Sequence, residues 1–198
     1  GEVEEYHKNL LRSSKAQNYL RGRCISRDVM EIYNLGFDPA DEVVLFPVYS
    51  RKGDVLFYKS RSLVGKHFFN AKDIDKTAAV YGLYQTLEAK IPDSKEIWLV
   101  ESEIDALSLV SKGILAWAFM GSDISEKQIK EMCQSPYRRF VIATDNDEAG
   151  RKAARRIKDK LIPLGFRFFN LKWLTDLKDV NELIQNYGDD FESYLQRF

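Results

Sequence analysis

Cysteine and histidine are scarce in this sequence, which has two of each: Cys24, Cys133, His7 and His67. The cysteines lie far apart and neither histidine is near them, which argues against a zinc knuckle or a disulfide framework. Runs of apolar residues stay well short of the roughly 20 that are needed to cross a bilayer, and the first residues contain no apolar signal core. We therefore expect a cytoplasmic protein without a membrane partner.

The chain also lacks a net charge, because 30 Lys and Arg balance 30 Asp and Glu among its 198 residues. That balance excludes a uniformly basic nucleic-acid coat and an acidic solvating tail. Hydrophobic residues make up 44% of the sequence, which is enough for one large or two small globular domains. Between positions 51 and 76, seven Lys and Arg outnumber three acids and stand among aromatic residues, which indicates a local basic patch.

Periodicity divides the chain near residue 92. The first 34 residues have helical spacing, with Ser26 as a predicted N-cap, and residues 40–64 are typical of antiparallel strands joined by a turn at Gly53. Beyond Pro92, four short apolar runs alternate with helical stretches, which predicts an α/β fold with a mostly parallel, layered four-stranded sheet. We expect a mixed α+β subdomain over 1–92, an α/β domain over 93–190, and a tail or the start of a truncated helical segment over 191–198.

Acidic residues follow three of the four predicted parallel strands: Glu101 and Asp105 after the first, Asp145 and Asp147 after the third, and Asp179 after the fourth. The carboxyl ends of parallel strands meet at one edge of a sheet, and like charges gathered there repel each other unless cations lie among them. Oxygen ligands without His or Cys suit Mg²⁺ or Mn²⁺, and such sites commonly serve phosphoryl transfer. If the third strand continues far enough, Asp145 and Asp147 also share one of its faces.

A structural role remains open for each of these acids, since an Asp or Glu after a strand often caps the next helix. Gly150 favours more than capping, because a glycine in the first turn of a helix indicates a close backbone approach. The basic residues of the helix that follows have two interpretations. They form an ordinary solvated face, or Arg151 or Arg155, near the helix start, helps to bind a triphosphate. We expect the three tryptophans to lie in the core: Trp98, Trp117 and Trp173.

Ordered motifs carry a family resemblance over about residues 20–187. Glu101 after an apolar strand and a later Asp-x-Asp-x-x-Gly over 145–150 resemble the TOPRIM domain of DnaG-type primases, type IA and II topoisomerases and some nucleases. Residues 118–122 resemble the small-residue turn of that domain, and residues 178–182 resemble the primase segment Lys-Asp-Pro-Asp-Glu. Segments at 19–26, 35–37, 45–48, 66–70 and 81–83 resemble, in order, the N-terminal subdomain of the DnaG RNA polymerase core, which topoisomerases lack.

The resemblance implies a primase catalytic core that makes short RNA primers on single-stranded DNA from ribonucleoside triphosphates, with a replicative helicase as a further partner. It implies that Glu101, Asp145 and Asp147 are catalytic and hold Mg²⁺ or Mn²⁺, with Asp105 and Asp179 as additional metal ligands. It also implies contacts to template or nucleotide from residues of the basic patch and the helix after the Asp-x-Asp motif: Arg61, Lys66, Asn70, Lys76 and Arg151.

The chain departs from the family pattern at three positions, where Ser102 and Asn146 replace glycine and Val180 replaces proline. Such departures resemble the primases of phages and mobile elements. We expect no zinc-binding domain before the core and a short or absent helical segment after it. Two other functions share the acidic motifs: a TOPRIM nuclease or other strand-cleaving enzyme, and a non-catalytic module that binds nucleic acid or docks a helicase.

Overall fold

The computed structural model describes residues 1–65 and 74–198 of the chain. Two of the residues selected from the basic patch, Lys66 and Asn70, lie outside these described residues. Among the described helices, none has the length and apolar character that crossing a membrane requires.

Three helices open the chain: α1 (Glu2–Leu11), α2 (Ser14–Gly22) and α3 (Arg27–Ile32). The hydroxyl of Ser13 accepts a hydrogen bond at the start of α2, and the hydroxyl of Ser26 accepts one from the Val29 N–H at the start of α3. The predicted cap at Ser26 is therefore confirmed. Each helix turns apolar side chains inward, and Leu10, Leu20 and Met30 are fully buried.

An antiparallel sheet follows, with three strands in the order β1 (Gly36–Asp38), β2 (Val43–Tyr49) and β3 (Val55–Ser62). The β2–β3 turn contains Gly53 at φ 94°, a left-handed conformation that glycine adopts without strain. The predicted hairpin is confirmed. Because side chains alternate along a strand, Lys59 and Arg61 lie on the same face of β3.

Helix α4 (Leu83–Glu88) leads into a second sheet with helices between its strands. The elements run β4 (Ile97–Val100), α5 (Glu103–Ser111), β5 (Ala116–Ala118), α6 (Glu126–Cys133), β6 (Arg139–Ile142), α7 (Glu148–Leu161) and β7 (Arg167–Phe169). The strands pair in the order β5-β4-β6-β7, and every pair is parallel. The predicted α/β fold with a parallel four-stranded sheet, preceded by a smaller α+β part, is confirmed.

The predicted fourth strand divides into two strands of different sheets. After β7, the chain enters β8 (Leu171–Trp173), which pairs antiparallel with the C-terminal strand β9 (Leu195–Arg197). Between them lie α8 (Val180–Tyr187) and a 3-10 helix (Gly188–Tyr194). The last eight residues thus form the end of the 3-10 helix and the partner of β8.

One apolar core joins the two parts of the chain. A single cluster of buried side chains includes Leu10 and Val48 from the first part and Trp98 and Leu107 from the second. A second cluster covers the other face of the parallel sheet and contains Trp117. Each large apolar side chain that is fully buried contributes about 1.5–3 kcal/mol, so this packing fixes how the two parts meet.

The strand order places a switch point between β4 and β6. From β4 the chain moves outward to β5 and then returns to the opposite side of β4 as β6, so the connections diverge from the carboxyl ends of these two strands. Ligands of open α/β sheets bind in the crevice that forms at such a point. Glu101 follows β4 and Asp145 follows β6, so both lie at this crevice.

The β6–α7 loop depends on Gly150. A Cβ atom at this position would lie 1.9 Å from the main-chain oxygen of Asp145, which is far closer than any real contact. The close backbone approach predicted from the sequence is confirmed. Glycine is therefore required here because the loop passes directly over the first turn of α7.

We expect Gly150→Ala to destabilise the protein by about 2–4 kcal/mol, because the new methyl group must push the Asp145 backbone away. Chemical denaturation followed by circular dichroism measures the change. Gly22→Ala is the matched control, since a Cβ at Gly22 meets no atom within 4 Å. Equal stability of the two variants would contradict the proposed steric role of Gly150.

Candidate active site

Three aspartates converge at the crevice. Asp105, Asp145 and Asp179 each offer a carboxylate oxygen, and these oxygens all lie within 4.8 Å of one another. The three residues come from the first turn of α5, the loop after β6 and the N-cap of α8. Segments that are distant in the sequence therefore deliver like charges to one point.

Asp105 is held most firmly of the three, and its side chain is buried. One carboxylate oxygen accepts a hydrogen bond from the Ser102 hydroxyl at 2.9 Å, and the other accepts one from the Asn181 main-chain N–H at 3.1 Å. Ser102 also caps α5 by accepting from the Asp105 N–H. The same contacts that orient the carboxylate thus connect the start of α5 to the start of α8.

Asp179 is fixed by its role as the N-cap of α8, because its Oδ1 accepts a hydrogen bond from the Glu182 N–H at 2.8 Å. Capping and cation binding are compatible, since a carboxylate has two oxygens and several lone pairs. Asp145 is fixed through its neighbour Asn146. The Asn146 N–H donates to the Lys178 carbonyl at 2.6 Å, which fastens the β6–α7 loop to the segment before α8.

Glu101 joins the three aspartates through Asp145. Its Oε2 accepts a hydrogen bond from the Asp145 main-chain N–H at 3.2 Å. Both residues are half-buried. We call Glu101, Asp105, Asp145 and Asp179 the acidic cluster. Four carboxyl groups thus share a small volume at the ends of β4 and β6.

Burial and mutual repulsion disfavour the charged forms of the acidic cluster. Burial, reinforced by Asp145, raises the pKa of Glu101 to about 8, and burial together with Asp179 raises the pKa of Asp105 to about 8. Burial also raises the pKa of Asp145 and of Asp179, each with a further contribution from neighbouring carboxylates. A bound cation would offset both effects.

The donor set fits a hard divalent cation. All four members offer carboxylate oxygens, which Mg²⁺ prefers, and ligand atoms on opposite sides of one such ion lie about 4 Å apart. The 4.8 Å spread of the three aspartate oxygens is close to that distance. The arrangement of the three aspartates is therefore compatible with such an ion.

Asp147 occupies a different place from the one that the strand pattern suggested. Strand β6 ends at Ile142, so Asp145 and Asp147 do not share a strand face, and that interpretation is wrong. Asp147 is the N-cap of α7, where its Oδ1 accepts a hydrogen bond from the Gly150 N–H at 2.7 Å. Its side chain nevertheless lines the same cavity as Glu101 and Asp145.

We call this cavity, which has a volume of about 310 Å³, the acidic cavity. Residues from both parts of the chain line it. Lys59 and Arg61 of β3 line it together with Glu101, Asp145 and Asp147. Because cations from β3 and carboxylates from the parallel sheet border one space, the cavity can accept a group that carries both phosphates and a metal ion.

Arg61 has a structural partner in addition to its place in the acidic cavity. Its Nε lies 3.3 Å from Oε1 of Glu103, whose side chain is only 1% exposed while that of Arg61 is 45% exposed. A buried carboxylate needs such a partner, since an isolated buried charge is very costly. Arg61 therefore holds β3 against α5 and still presents part of its side chain to solvent.

The other predicted nucleotide contacts lie apart from the acidic cavity. Lys76 is exposed in a turn, and within the described residues it is not part of the cavity lining. Arg151 is exposed in the first turn of α7, with its Nε 3.5 Å from Oε2 of Glu148, and it lines a different cavity. Lys66 and Asn70 lie outside the described residues, so their roles stay predictions.

Sequence reasoning did not select three residues that the structure brings to this site. Lys59 stands two positions before Arg61, and that strand spacing was the available signal. Asn181 is buried, accepts a hydrogen bond from Arg23 at 3.4 Å and donates one to the Arg23 carbonyl at 2.7 Å. The sequence shows only that Glu103 stands at the start of a helix. Its burial depends on the packing of β3, which the sequence does not indicate.

Comparison with known proteins agrees with this arrangement. Residues 98–184 match the family described as Toprim-like. An uncharacterized protein of Mycoplasma genitalium is 28% identical over 198 residues, which cover 96% of this chain and 91% of that protein. The DNA primase of Haemophilus influenzae is 24% identical over 242 residues that cover 98% of this chain but 40% of the primase, so this chain spans less than half of that enzyme.

A solved structure has the same fold over nearly the whole chain. The DnaG primase catalytic domain bound to single-stranded DNA superposes with a TM-score of 0.77 at 21% identity, covering 97% of this chain and 77% of that domain. The resemblance to a DnaG-type primase core with a Toprim domain is confirmed by these matches. At this identity the structural match establishes the fold, and the family model identifies the Toprim-like part.

Burial, together with repulsion, in the acidic cluster predicts how stability depends on pH. Because the folded pKa of Asp105 and Glu101 is raised to about 8, the folded state binds more protons than the unfolded state between about pH 4 and pH 8. In EDTA, the melting temperature should therefore fall as the pH rises across this range. Asp105→Asn keeps the hydrogen-bonding shape without the charge and should raise the melting temperature at pH 8.

Differential scanning fluorimetry at several pH values, with and without Mg²⁺, tests this expectation. Mg²⁺ should stabilise the wild type at pH 8 more than it stabilises Asp105→Asn. Asp189→Asn removes an exposed acid that pairs with Lys112, and it should leave the fall with pH in place. A lower melting temperature for Asp105→Asn at pH 8 in EDTA would contradict the burial and repulsion of the Asp105 charge as the cause.

The Arg61–Glu103 pair predicts a second effect on stability. Arg61→Ala should destabilise the protein by about 1–3 kcal/mol, because it leaves the buried Glu103 carboxylate without its partner. Adding Glu103→Gln to that variant should restore part of the loss in urea denaturation. Lys59→Ala, on the same strand, should change stability by less than about 0.5 kcal/mol. Similar losses for Arg61→Ala and Lys59→Ala would argue against this pairing.

Proposed function

Starting from a Toprim-like domain within the fold of a DnaG catalytic core, we propose that this chain is a nucleotidyltransferase that makes short RNA primers on single-stranded DNA. The substrates are ribonucleoside triphosphates. The reaction joins the 3′-hydroxyl of one nucleotide to the α-phosphate of the next, with pyrophosphate as the leaving group.

The observation that carries this proposal is the convergence of the acidic cluster beside the cations of β3. Asp105, Asp145 and Asp179 come within 4.8 Å at the switch point of a parallel sheet, and Lys59 and Arg61 line the adjoining acidic cavity. Carboxylates alone repel a triphosphate, and cations alone do not order its reacting oxygens. Their combination supports phosphoryl chemistry on a polyanion.

The acidic cluster is proposed to hold Mg²⁺ or Mn²⁺. When bound, the ion would supply positive charge that activates the attacking hydroxyl and stabilises the leaving phosphate oxygen. Asp105, Asp145 and Asp179 supply the ligand oxygens, and Glu101 positions the Asp145 loop through its main-chain contact. Asp147 lines the acidic cavity and keeps the start of α7 in place by capping it.

The two parts of the chain are proposed to divide the work. Residues 93–190 carry the metal chemistry, residues 1–92 bind template and nucleotide, and residues 191–198 complete the small β8–β9 sheet. On the first part, Lys59 and Arg61 face the acidic cavity, and Lys66, Asn70 and Lys76 are predicted to extend the basic surface. Lysine and arginine bind the phosphates of any sequence, as a primase template site requires.

Similarity to primases supports the nucleic-acid part of the proposal. A DnaG catalytic domain with this fold was solved with single-stranded DNA bound, and 98% of this chain aligns with a bacterial DNA primase. Contact with a replicative helicase stays a prediction from the family resemblance. The acidic cluster of this chain is the feature on which a direct test can be built.

We expect Asp145→Asn and Asp179→Asn each to lower primer synthesis about 100-fold or more, because each variant removes a ligand charge from the metal site. The assay follows incorporation of labelled ribonucleotides on single-stranded DNA with Mg²⁺ or Mn²⁺. Asp189→Asn is the control, since this exposed acid lies apart from the acidic cluster and should leave synthesis unchanged. Circular dichroism establishes that each variant is folded.

Two outcomes would replace the proposal. Full synthesis by a folded Asp145→Asn would show that the acidic cluster is not the reaction centre. Cleavage of labelled DNA with metal and without nucleotides, lost in Asp145→Asn, would favour the strand-cleaving enzyme instead. If the wild type neither synthesises primers nor cleaves DNA and binds no divalent ion in calorimetry, a non-catalytic binding module would be the better description.

A further inference from the structure

A second cavity, larger than the acidic cavity, lies along helix α7. Its volume is about 460 Å³, and its walls come from the end of β6, one side of α7, and strand β8. Four of the residues that line it are cations, and we call it the basic cavity: Arg151, Arg155, Lys158 and Lys172. Asp145 lines both cavities, so the basic cavity adjoins the acidic cluster.

The cations of α7 are arranged along a single line. Arg151, Arg155 and Lys158 are separated by four and three positions, so they stand one above another on the same side of the helix. The line is about 10 Å long, from a rise of about 1.5 Å per residue. Helix α7 carries other cations, Lys152, Arg156 and Lys160, which are exposed and do not belong to the cavity lining.

These cations are only partly neutralised by the protein. Glu148 is the acid nearest to Arg151 and Arg155, at 3.5 and 3.6 Å, and both arginine side chains remain more than half exposed. Lys158 is half-buried and donates a hydrogen bond to Oδ1 of Asn170. Burial lowers the pKa of Lys158. The nearby charge of Asp159 acts in the opposite direction, and that of Arg155 lowers the pKa further. A polyanion in the cavity would relieve this accumulation of positive charge.

Strand β8 contributes an aromatic side chain to the lining of the basic cavity. Trp173 of β8 lines the basic cavity and is half-buried, whereas Trp98 and Trp117 are 3% and 0% exposed. The expectation that all three tryptophans lie in the core holds for Trp98 and Trp117, whereas Trp173 packs against the core cluster and stays half-buried. A tryptophan face beside a line of cations can stack a nucleobase while the cations bind its phosphates.

We propose that the basic cavity binds a nucleoside triphosphate, with its phosphates along Arg151, Arg155 and Lys158 and its base against Trp173. The cavity volume lies within the range of about 300–1,000 Å³ that is usual for small-molecule sites, which favours one nucleotide over a continuous strand. This inference goes beyond the proposed function in two respects. The α7 cations bind the nucleotide without a divalent ion, and this binding does not depend on catalysis by the acidic cluster.

Binding of ATP to the full chain in EDTA tests the proposal, with quenching of tryptophan fluorescence as the signal. We expect saturable quenching, because Trp173 is the accessible tryptophan. The double variant Arg155→Ala/Lys158→Ala should raise the Kd about tenfold or more, through the loss of two charged phosphate contacts. The matched control is Lys152→Ala/Arg156→Ala, which removes the same charge from the same helix and should leave the Kd within about twofold of the wild type.

A third variant separates the signal from the binding. Trp173→Phe should abolish most of the quenching while equilibrium dialysis with labelled ATP still detects binding, since phenylalanine retains a stacking surface. Adenosine, which lacks phosphates, should not compete. Primer synthesis is measured separately, so loss of synthesis in Asp145→Asn with ATP binding intact in EDTA would leave this proposal standing.

Three results would overturn the proposal. Equal Kd values for the two double variants would show that Arg155 and Lys158 do not contribute to ATP binding. A strict requirement for Mg²⁺, together with loss of binding in Asp145→Asn, would assign the nucleotide to the acidic cavity. Displacement of ATP by a short single-stranded oligonucleotide that binds more tightly, with the same dependence on Arg155 and Lys158, would assign the basic cavity to a nucleic-acid strand.

Discussion

The need to keep buried and half-buried carboxyl groups together against their mutual repulsion is the constraint on which this structure depends. Four acidic groups share the switch point of the parallel sheet, and the fold keeps them there with ordinary helix-start contacts: Ser102 and the Asn181 N–H on Asp105, and the Glu182 N–H on Asp179. Two of these contacts are local and the Asn181 contact joins α8 to α5, and each is modest, worth about 1 kcal/mol on average. Together with the packing beneath them, these contacts hold the carboxyl groups in place although their charges repel each other. A bound cation would remove this repulsion, so the same arrangement favours cation binding.

The first part of the chain reaches the acidic cluster by two polar connections. Arg61 of β3 pairs with the buried Glu103 at the start of α5, and Arg23 exchanges hydrogen bonds with Asn181 at the start of α8. Both connections end on helices that also carry members of the acidic cluster. The cations of β3 and the carboxylates of the sheet are therefore positioned by the same helix starts.

Much of the fold could be predicted from the sequence, because alternation of short apolar runs with helical stretches is a local signal of a parallel sheet. The acidic residues after β4, β6 and the last predicted strand were also visible. Side-chain direction beyond a strand end was not, since β6 stops at Ile142 and Asp147 turns to cap α7. The burial of Glu103 and the partial burial of Trp173 depend on packing between distant segments, for which one sequence carries no local signal.

The apolar cluster that includes Leu10, Val48, Trp98 and Leu107 restricts rotation of the two parts of the chain against each other. Buried side chains from both parts of the chain pack together in it, so the interface between the parts has the density of a protein interior. Rotation of one part against the other would open that interior to water. The width of the acidic cavity between β3 and the parallel sheet is thus a property of the folded core.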